Sequence, residues 1–279
     1  MKVLVTGVSG QLGFDVMREL LARGIEAKGA SRSDFSLTDF AAMRRFVEAH
    51  RPTAIIHCAA YTAVDKAEDE PELCREVNAA ATGELARLAK EIGAKFLYIS
   101  TDYVFPGTGE DFYEPEDEKA PCNVYGESKL LGEEAALEAL EELFIVRISW
   151  VFGENGKNFI KTMLRLAETH EELSVVGDQI GSPTYTRDLV RLLADMIVTE
   201  KYGVYHATNE GTCSWAELAK EALRCAGKKT RVKAIKTEEY PTKAKRPKNS
   251  RLSKKCLDDA GFSRLPDWRD AVARYVELI

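Results

Sequence analysis

The chain has no closely spaced cysteine pair. Its six cysteines, at positions 58, 74, 122, 213, 225 and 256, keep no regular spacing. Neither a disulfide framework nor a thiolate metal site is therefore expected, and the thiols read as reduced, mostly small apolar residues. Long hydrophobic runs are missing too, since no window approaches the roughly 18 apolar residues of a membrane span. The first residues run straight into a strand and a glycine turn, without the charged, apolar and cleavable regions of an export signal. A cytoplasmic location is the expectation. Positive charge is not in excess either: 45 acidic residues outnumber 39 basic ones, which removes the electrostatic footprint of a nucleic-acid or membrane-surface protein. No internal repeat and no low-complexity tract interrupts the 279 residues, a length that can bury a large core.

What is present is an alternation of short apolar runs and helical periods. Residues 3–6 read as a strand ended by Gly7, Ser9 and Gly10, after which Leu12, Val16, Leu20 and Leu21 recur at helical spacing. Further strands are expected at 25–30, 54–58, 95–100 and 144–148. Between them fall helices ending near His50 (capped by Thr38 or Asp39), at about 72–90, and from Asn123 to about 141. Such alternation means βαβ units and a mostly parallel sheet. The expected fold is α/β: a Rossmann-type doubly wound parallel sheet over residues 1–150, with a smaller C-terminal substrate-binding lobe over 151–279 interleaved with it. In the lobe, helices are expected at 159–167 and 187–197, and short strands at 174–176 and ending at His206. Ser214 with Glu217 three residues later is a capping box for a helix reaching Cys225. The segment 237–250 carries two prolines and part of a basic run, Lys243, Lys245, Arg246, Lys248, Arg251, Lys254 and Lys255. It reads as a loop over an anionic ligand or as a solvated connection.

Two constellations carry chemistry. Gly7, Gly10 and Gly13 lie where a strand turns into a helix: the first permits a tight turn, the second lets backbone approach a pyrophosphate, and the third lets helix and sheet pack closely. The free N–H groups of that helix N-terminus suit phosphate, so a dinucleotide is expected there. Arg32, past the second strand, can fork onto the 2′-phosphate of NADP, while Asp34 beside it keeps NAD open; the cofactor is NADPH or NADH. Tyr125 and Lys129 are four residues apart near the start of a helix and so share one face. An ammonium near a phenol lowers the phenol's pKa toward the working range. Thr101 ends the preceding strand, where ligands of open parallel sheets bind, and its hydroxyl can bond a substrate oxygen. Asn78, in the helix before that strand, bonds a backbone carbonyl or holds a water behind the lysine.

These residues are arranged as in the extended short-chain dehydrogenase/reductase superfamily, whose Ser/Thr, Tyr and Lys triad would fall on Thr101, Tyr125 and Lys129. The stretches from Cys58 to Glu68, Ser100 to Phe105, Arg147 to Phe152, Gly177 to Thr184 and Arg246 to Ser250 resemble the dTDP-4-dehydrorhamnose reductase family over nearly the whole chain. The resemblance implies NAD(P)H-dependent reduction of the C4 ketone of dTDP-4-dehydro-L-rhamnose. It implies further that Gln11 and Leu12 join Gly7, Gly10 and Gly13 around the pyrophosphate, and that Ala59, Ala60 and Tyr61 line the nicotinamide side. Thr62, Val64, Asp102, Phe105 and Trp150 would surround the sugar.

On this reading Tyr125 donates a proton to the forming alkoxide, Thr101 orients the carbonyl, and Lys129 holds the cofactor ribose. Arg246 or Lys248 would pair the diphosphate. Family members with magnesium-binding acidic residues at a dimer interface have no clear counterpart here, so no metal is expected and the chain is a monomer or a homodimer. The alternatives are a dinucleotide-binding regulatory subunit without turnover, against which the intact triad argues, and a reductase or epimerase of another nucleotide sugar.

Overall fold

In β1 (Lys2–Thr6) the residues Val3, Leu4 and Val5 are all fully buried, as a parallel strand covered on both faces requires. The computed structural model describes residues 1–279. After β1 come α1 (Gln11–Ala22), β2 (Glu26–Ala30), α2 (Phe40–His50), β3 (Ala54–His57), β4 (Lys95–Thr101) and β5 (Leu143–Ile148). The sheet runs β2, β1, β3, β4, β5 and then Gly203–His206, every neighbour parallel. The chain steps outward from β1 to β2 and then returns to β3 on the other side. That reversal opens a crevice at the carboxyl ends of β1 and β3, where such sheets bind ligands.

Alternate side chains of each strand feed opposite layers. Val3, Val5, Leu97 and Phe144 meet α1 and the helix Thr186–Ile197 on one face. Leu4, Ile55, Phe96 and Ile145 meet α2 and the helices Ala81–Ile92 and Val124–Ala139 on the other. Each fully buried Leu or Phe stabilises the fold by about 1.5–3 kcal/mol. Asp39 caps α2, accepting from the Ala42 amide at 2.9 Å, and Asn123 caps the helix Val124–Ala139, accepting from Gly126 at 2.8 Å.

The expected helix at 72–90 is not one regular helix. It consists of Pro71–Arg75, a π-helical turn Glu76–Ala80, and Ala81–Ile92. The Asn78 carbonyl accepts from the hydroxyls of Thr82 at 2.8 Å and Tyr98 at 3.1 Å, and it is these tertiary and side-chain donors that keep the widened turn satisfied.

The second part of the chain is built from short strand pairs and three longer helices. Ile180–Gly181 lies between Cys213–Ser214 and Asn249–Ser250 in a three-stranded sheet. Glu172–Val176 pairs with Arg231–Ile235, a strand that periodicity alone had not marked. The capping box at Ser214 and Glu217 is present, and it opens the helix Trp215–Cys225. The segment 237–250 is not all loop, since Asn249–Ser250 belongs to a sheet and Thr237–Glu239 forms a single helical turn. No helix is long and apolar enough to cross a membrane.

Candidate active site

At the end of β1 the chain turns through Gly7 with φ +71°, and a Cβ there would lie 2.7 Å from the Ala59 nitrogen. A Cβ on Gly13 would lie 2.4 Å from the Gly7 carbonyl oxygen. Any side chain at these two positions would fill the cradle between turn, helix and β3, so both glycines are needed for the close approach. No side chain caps the N-terminus of α1, which leaves its first amides to an anionic ligand. This uncapped, glycine-lined cradle fits a dinucleotide pyrophosphate.

Two residues expected around the pyrophosphate have other duties for their side chains. Leu12 is buried in the core. The Gln11 Oε1 accepts from the Gly153 amide and the Asn158 side chain, each at 3.0 Å, while Asn155 donates to the Ser9 carbonyl at 2.9 Å. The segment 153–158 is thereby tied to the glycine turn, and the backbone of Gln11 and Leu12 and the Gln11 amide nitrogen remain for phosphate. At the end of β2, Asp34 folds back to accept from the Ser31 amide at 2.8 Å and the Ser31 hydroxyl at 2.9 Å. These bonds hold its carboxyl below the usual aspartate range. Arg32 is exposed and makes no ion pair.

Beyond β3, Ala59, Ala60 and Tyr61 border the crevice. The Ala59 amide donates to the Thr6 hydroxyl at 3.2 Å. Asn78 is 1% exposed; its side chain accepts from the Tyr61 amide at 2.7 Å and donates to the Tyr61 carbonyl at 3.0 Å and the Ser128 hydroxyl at 2.9 Å. It does bond a backbone carbonyl, and it holds the 59–61 segment to the helix of Tyr125 and Lys129. Thr62 is exposed and Val64 half-buried on the following turn.

Thr101, Tyr125 and Lys129 converge at the end of β4. The Thr101 hydroxyl donates to Asp102 Oδ1 at 3.0 Å. Burial pushes the Tyr125 phenol above its ordinary range, a hydrogen bond with Thr101 opposes this, and the Asp102 charge adds to it. Lys129 is 2% exposed. Its Nζ donates to the Ile99 carbonyl at 2.7 Å and sits 4.0 Å above the Tyr98 ring. Burial pulls this ammonium down to about 7, against the opposing charge of Glu133. The expected lowering of the phenol by the lysine is absent: the ammonium turns to β4, and the groups that feel its charge are His57, Cys58 and Cys74 at the end of β3 and beside it.

On the sugar side, Asp102 is 3% exposed and its Oδ2 has no partner among the hydrogen bonds resolved. Burial pushes it up to about 6, with the Ser250 and Thr101 hydroxyls opposing. Trp150 is half-buried and stacks on Trp215, a residue that sequence reasoning missed; the capping box just before Trp215 was the one signal near it. Phe105 lies inside the core. It is fully buried, stacked on Tyr113 at 4.5 Å with the Arg147 guanidinium 5.1 Å above it.

Three cations of the basic strap are paired with carboxylates, whereas Lys245 and Arg251 are not. Lys243 meets Asp69, Arg246 meets Asp65 at 2.6 Å, and Lys248 meets Glu238 at 2.9 Å and Asp178 at 3.4 Å. One nitrogen of Arg246, Nη1, is buried without a partner. Arg246 and Lys248 line a cavity of about 830 Å³ between the strap and the 106–110 loop, large enough for a nucleotide.

The family model described as the RmlD substrate binding domain matches residues 1–279. The chain is 40% identical over 99% of its length to the spore coat polysaccharide biosynthesis protein SpsK of Bacillus subtilis, covering 97% of that protein. It is 39% identical over 98% of its length to a dTDP-4-dehydrorhamnose reductase of Burkholderia thailandensis, again covering 97%. The crystal structure of a dTDP-4-dehydrorhamnose reductase from Bacillus anthracis in complex with NADP superposes with a TM-score of 0.97 at 41% identity, covering 100% of this chain and 99% of that one. The chain belongs to the dTDP-4-dehydrorhamnose reductase family. As a member of that family it is an NAD(P)-dependent oxidoreductase.

Proposed function

We propose that this chain reduces the C4 ketone of dTDP-4-dehydro-L-rhamnose to give dTDP-L-rhamnose, with NADPH as the preferred cofactor. The observation that carries the reading is the meeting of Thr101, Tyr125 and Lys129 at the end of β4, beside the crevice into which the glycine turn opens. The bound reduced nicotinamide supplies the hydride. Tyr125 gives its proton to the oxygen at C4, and the Thr101 hydroxyl orients that oxygen. The phenol carries its proton at neutral pH, so Tyr125 is in the form a general acid must have before an alkoxide develops beside it.

Lys129, facing the end of β3, bonds the cofactor ribose. Its ammonium is anchored on the Ile99 carbonyl, so its part is to hold the cofactor beside Tyr125. Arg32, free of carboxylates, takes the 2′-phosphate. Arg246 turns its unpartnered Nη1 to the diphosphate.

The reaction is followed by the loss of reduced-nicotinamide absorbance. Substrate-dependent oxidation of NADPH is expected, and Tyr125→Phe is expected to lower kcat by about 10²–10⁴-fold with cofactor affinity unchanged. No oxidation with either NADPH or NADH would overturn the reading. Full activity of Tyr125→Phe would remove the proton donor.

A further inference from the structure

Trp150 has a backbone φ of +49°, a region that bulky residues seldom adopt and hold only where their surroundings over-determine it. It follows β5 by two residues, and Ile148 at the end of that strand is in register with Thr101. The strained tryptophan therefore stands next to the reacting end of the sheet. Its surroundings explain how it is held. The Trp215 ring lies on it with centroids 3.9 Å apart and planes at 16°, and Phe159 backs Trp215 at 4.7 Å. Beneath the edge of Trp150 is Gly181, where a Cβ would come within 3.0 Å of Cε2 and Cζ2 of the indole.

These supports belong to one three-stranded sheet. Cys213–Ser214 leads directly into Trp215, Ile180–Gly181 is the middle strand, and Asn249–Ser250 is the other edge. The Ser250 hydroxyl opposes the burial-driven rise of the Asp102 carboxyl, whose neighbour is Thr101. The small sheet thus reaches from the indole to Asp102. The capping box of Ser214 and Glu217 fixes where the helix of Trp215 begins, and hence where its ring stands.

We infer that Trp215 is a positioning residue for the sugar: it acts through Trp150, holding that indole as a fixed apolar wall against the ring of a deoxy-sugar nucleotide. The inference rests on the proposed reduction of such a nucleotide. A wall fixed before binding spares the substrate the ordering of a mobile indole, so the effect lies in sugar affinity and leaves the cofactor untouched.

The test compares Trp215→Ala, Trp215→Phe, Trp150→Ala and the double alanine variant in steady-state reduction of dTDP-4-dehydro-L-rhamnose, in titration with NADPH, and in far-ultraviolet circular dichroism, where two stacked indoles give an exciton couplet. Trp215→Ala is expected to raise KM about tenfold, with kcat and NADPH affinity within about threefold of the parent and the couplet lost. Trp215→Phe keeps a ring in the stack and restores KM without the couplet. The double variant is expected to be no worse than Trp150→Ala alone, because the two act as one unit.

An unchanged KM in Trp215→Ala, or additive losses in the double variant, would overturn the inference. If Trp150→Ala itself left KM unchanged, the placement of the sugar in the proposed function would fail instead. Should Trp215→Ala not fold, Trp215→Leu takes its place, keeping apolar volume but no ring to stack on Trp150. It is expected to raise KM alone, and an unchanged KM there counts against the inference equally.

Discussion

The helix that carries Tyr125 and Lys129 is pinned to β5 by a buried ion pair, and neutralising Glu133 tests that pin. Arg147 Nε donates to Glu133 Oε1 at 2.9 Å and Nη2 donates to Oε2 at 2.6 Å, with the two side chains 2% and 3% exposed. The Ser100 hydroxyl adds a bond to Oε1 at 2.5 Å, and Arg147 Nη1 donates to the Pro115 carbonyl at 2.8 Å. Glu133→Gln leaves a guanidinium in the core with no counter-charge. Breaking one side of such a pair costs about 3–5 kcal/mol, because the remaining charge stays desolvated. For a chain of this size that lowers the melting temperature by roughly 5–9 °C.

Replacing both partners by apolar residues, Glu133→Leu with Arg147→Met, removes the uncompensated charge and is expected to recover at least half of the loss. Urea unfolding followed by circular dichroism gives the four corners of the double-mutant cycle. A loss under about 1 kcal/mol for Glu133→Gln, or a double variant as unstable as the sum of the single ones, would refute the reasoning. Activity should follow the same order, since Lys129 lies one helical turn before Glu133.

Three further predictions concern the site. Asp102 has a folded-state value raised to about 6 from an ordinary 3.8, so its contribution to stability is fully present below 3.8 and is lost as pH rises through 6. Asp102→Asn is therefore expected to be more stable than the parent at about pH 8 and to lose that advantage by about pH 4, read from urea midpoints across the range. Gly7→Ala forces a Cβ onto the Ala59 backbone and should lower NADPH affinity by at least about tenfold in a fluorescence titration while destabilising the fold by about 1–3 kcal/mol. Arg32→Ala should raise KM for NADPH by about tenfold and leave KM for NADH within about twofold, measured by initial rates with each cofactor.

The order of elements and the glycine turn were legible because they rest on local rules. Apolar runs alternate with helical periods, and Gly7 and Gly13 serve contacts close in sequence or forced by the turn. Thr101, Tyr125 and Lys129 were readable from their places at a strand end and on one helix face. The direction of the Lys129 ammonium was not, because its partner is the Ile99 carbonyl on a neighbouring strand. The π-helical turn at Asn78 was hidden for a similar reason: one of the donors that satisfies its freed carbonyl is Tyr98, across the core from it. The second duty of Gln11 was hidden as well, since Gly153 and Asn158, which bond its side-chain oxygen, lie more than a hundred positions away. Trp215 carried no periodic signal, since its role depends on which ring lies over it.

The pairing of Lys243, Arg246 and Lys248 with Asp69, Asp65 and Glu238 changes what an arriving nucleotide meets. The chain's own carboxylates stand in for the phosphoryl oxygens at these three side chains, so entry of the anion exchanges one partner for another there. Choice among anions then falls to the fit of the bound group once the resident acids have swung aside.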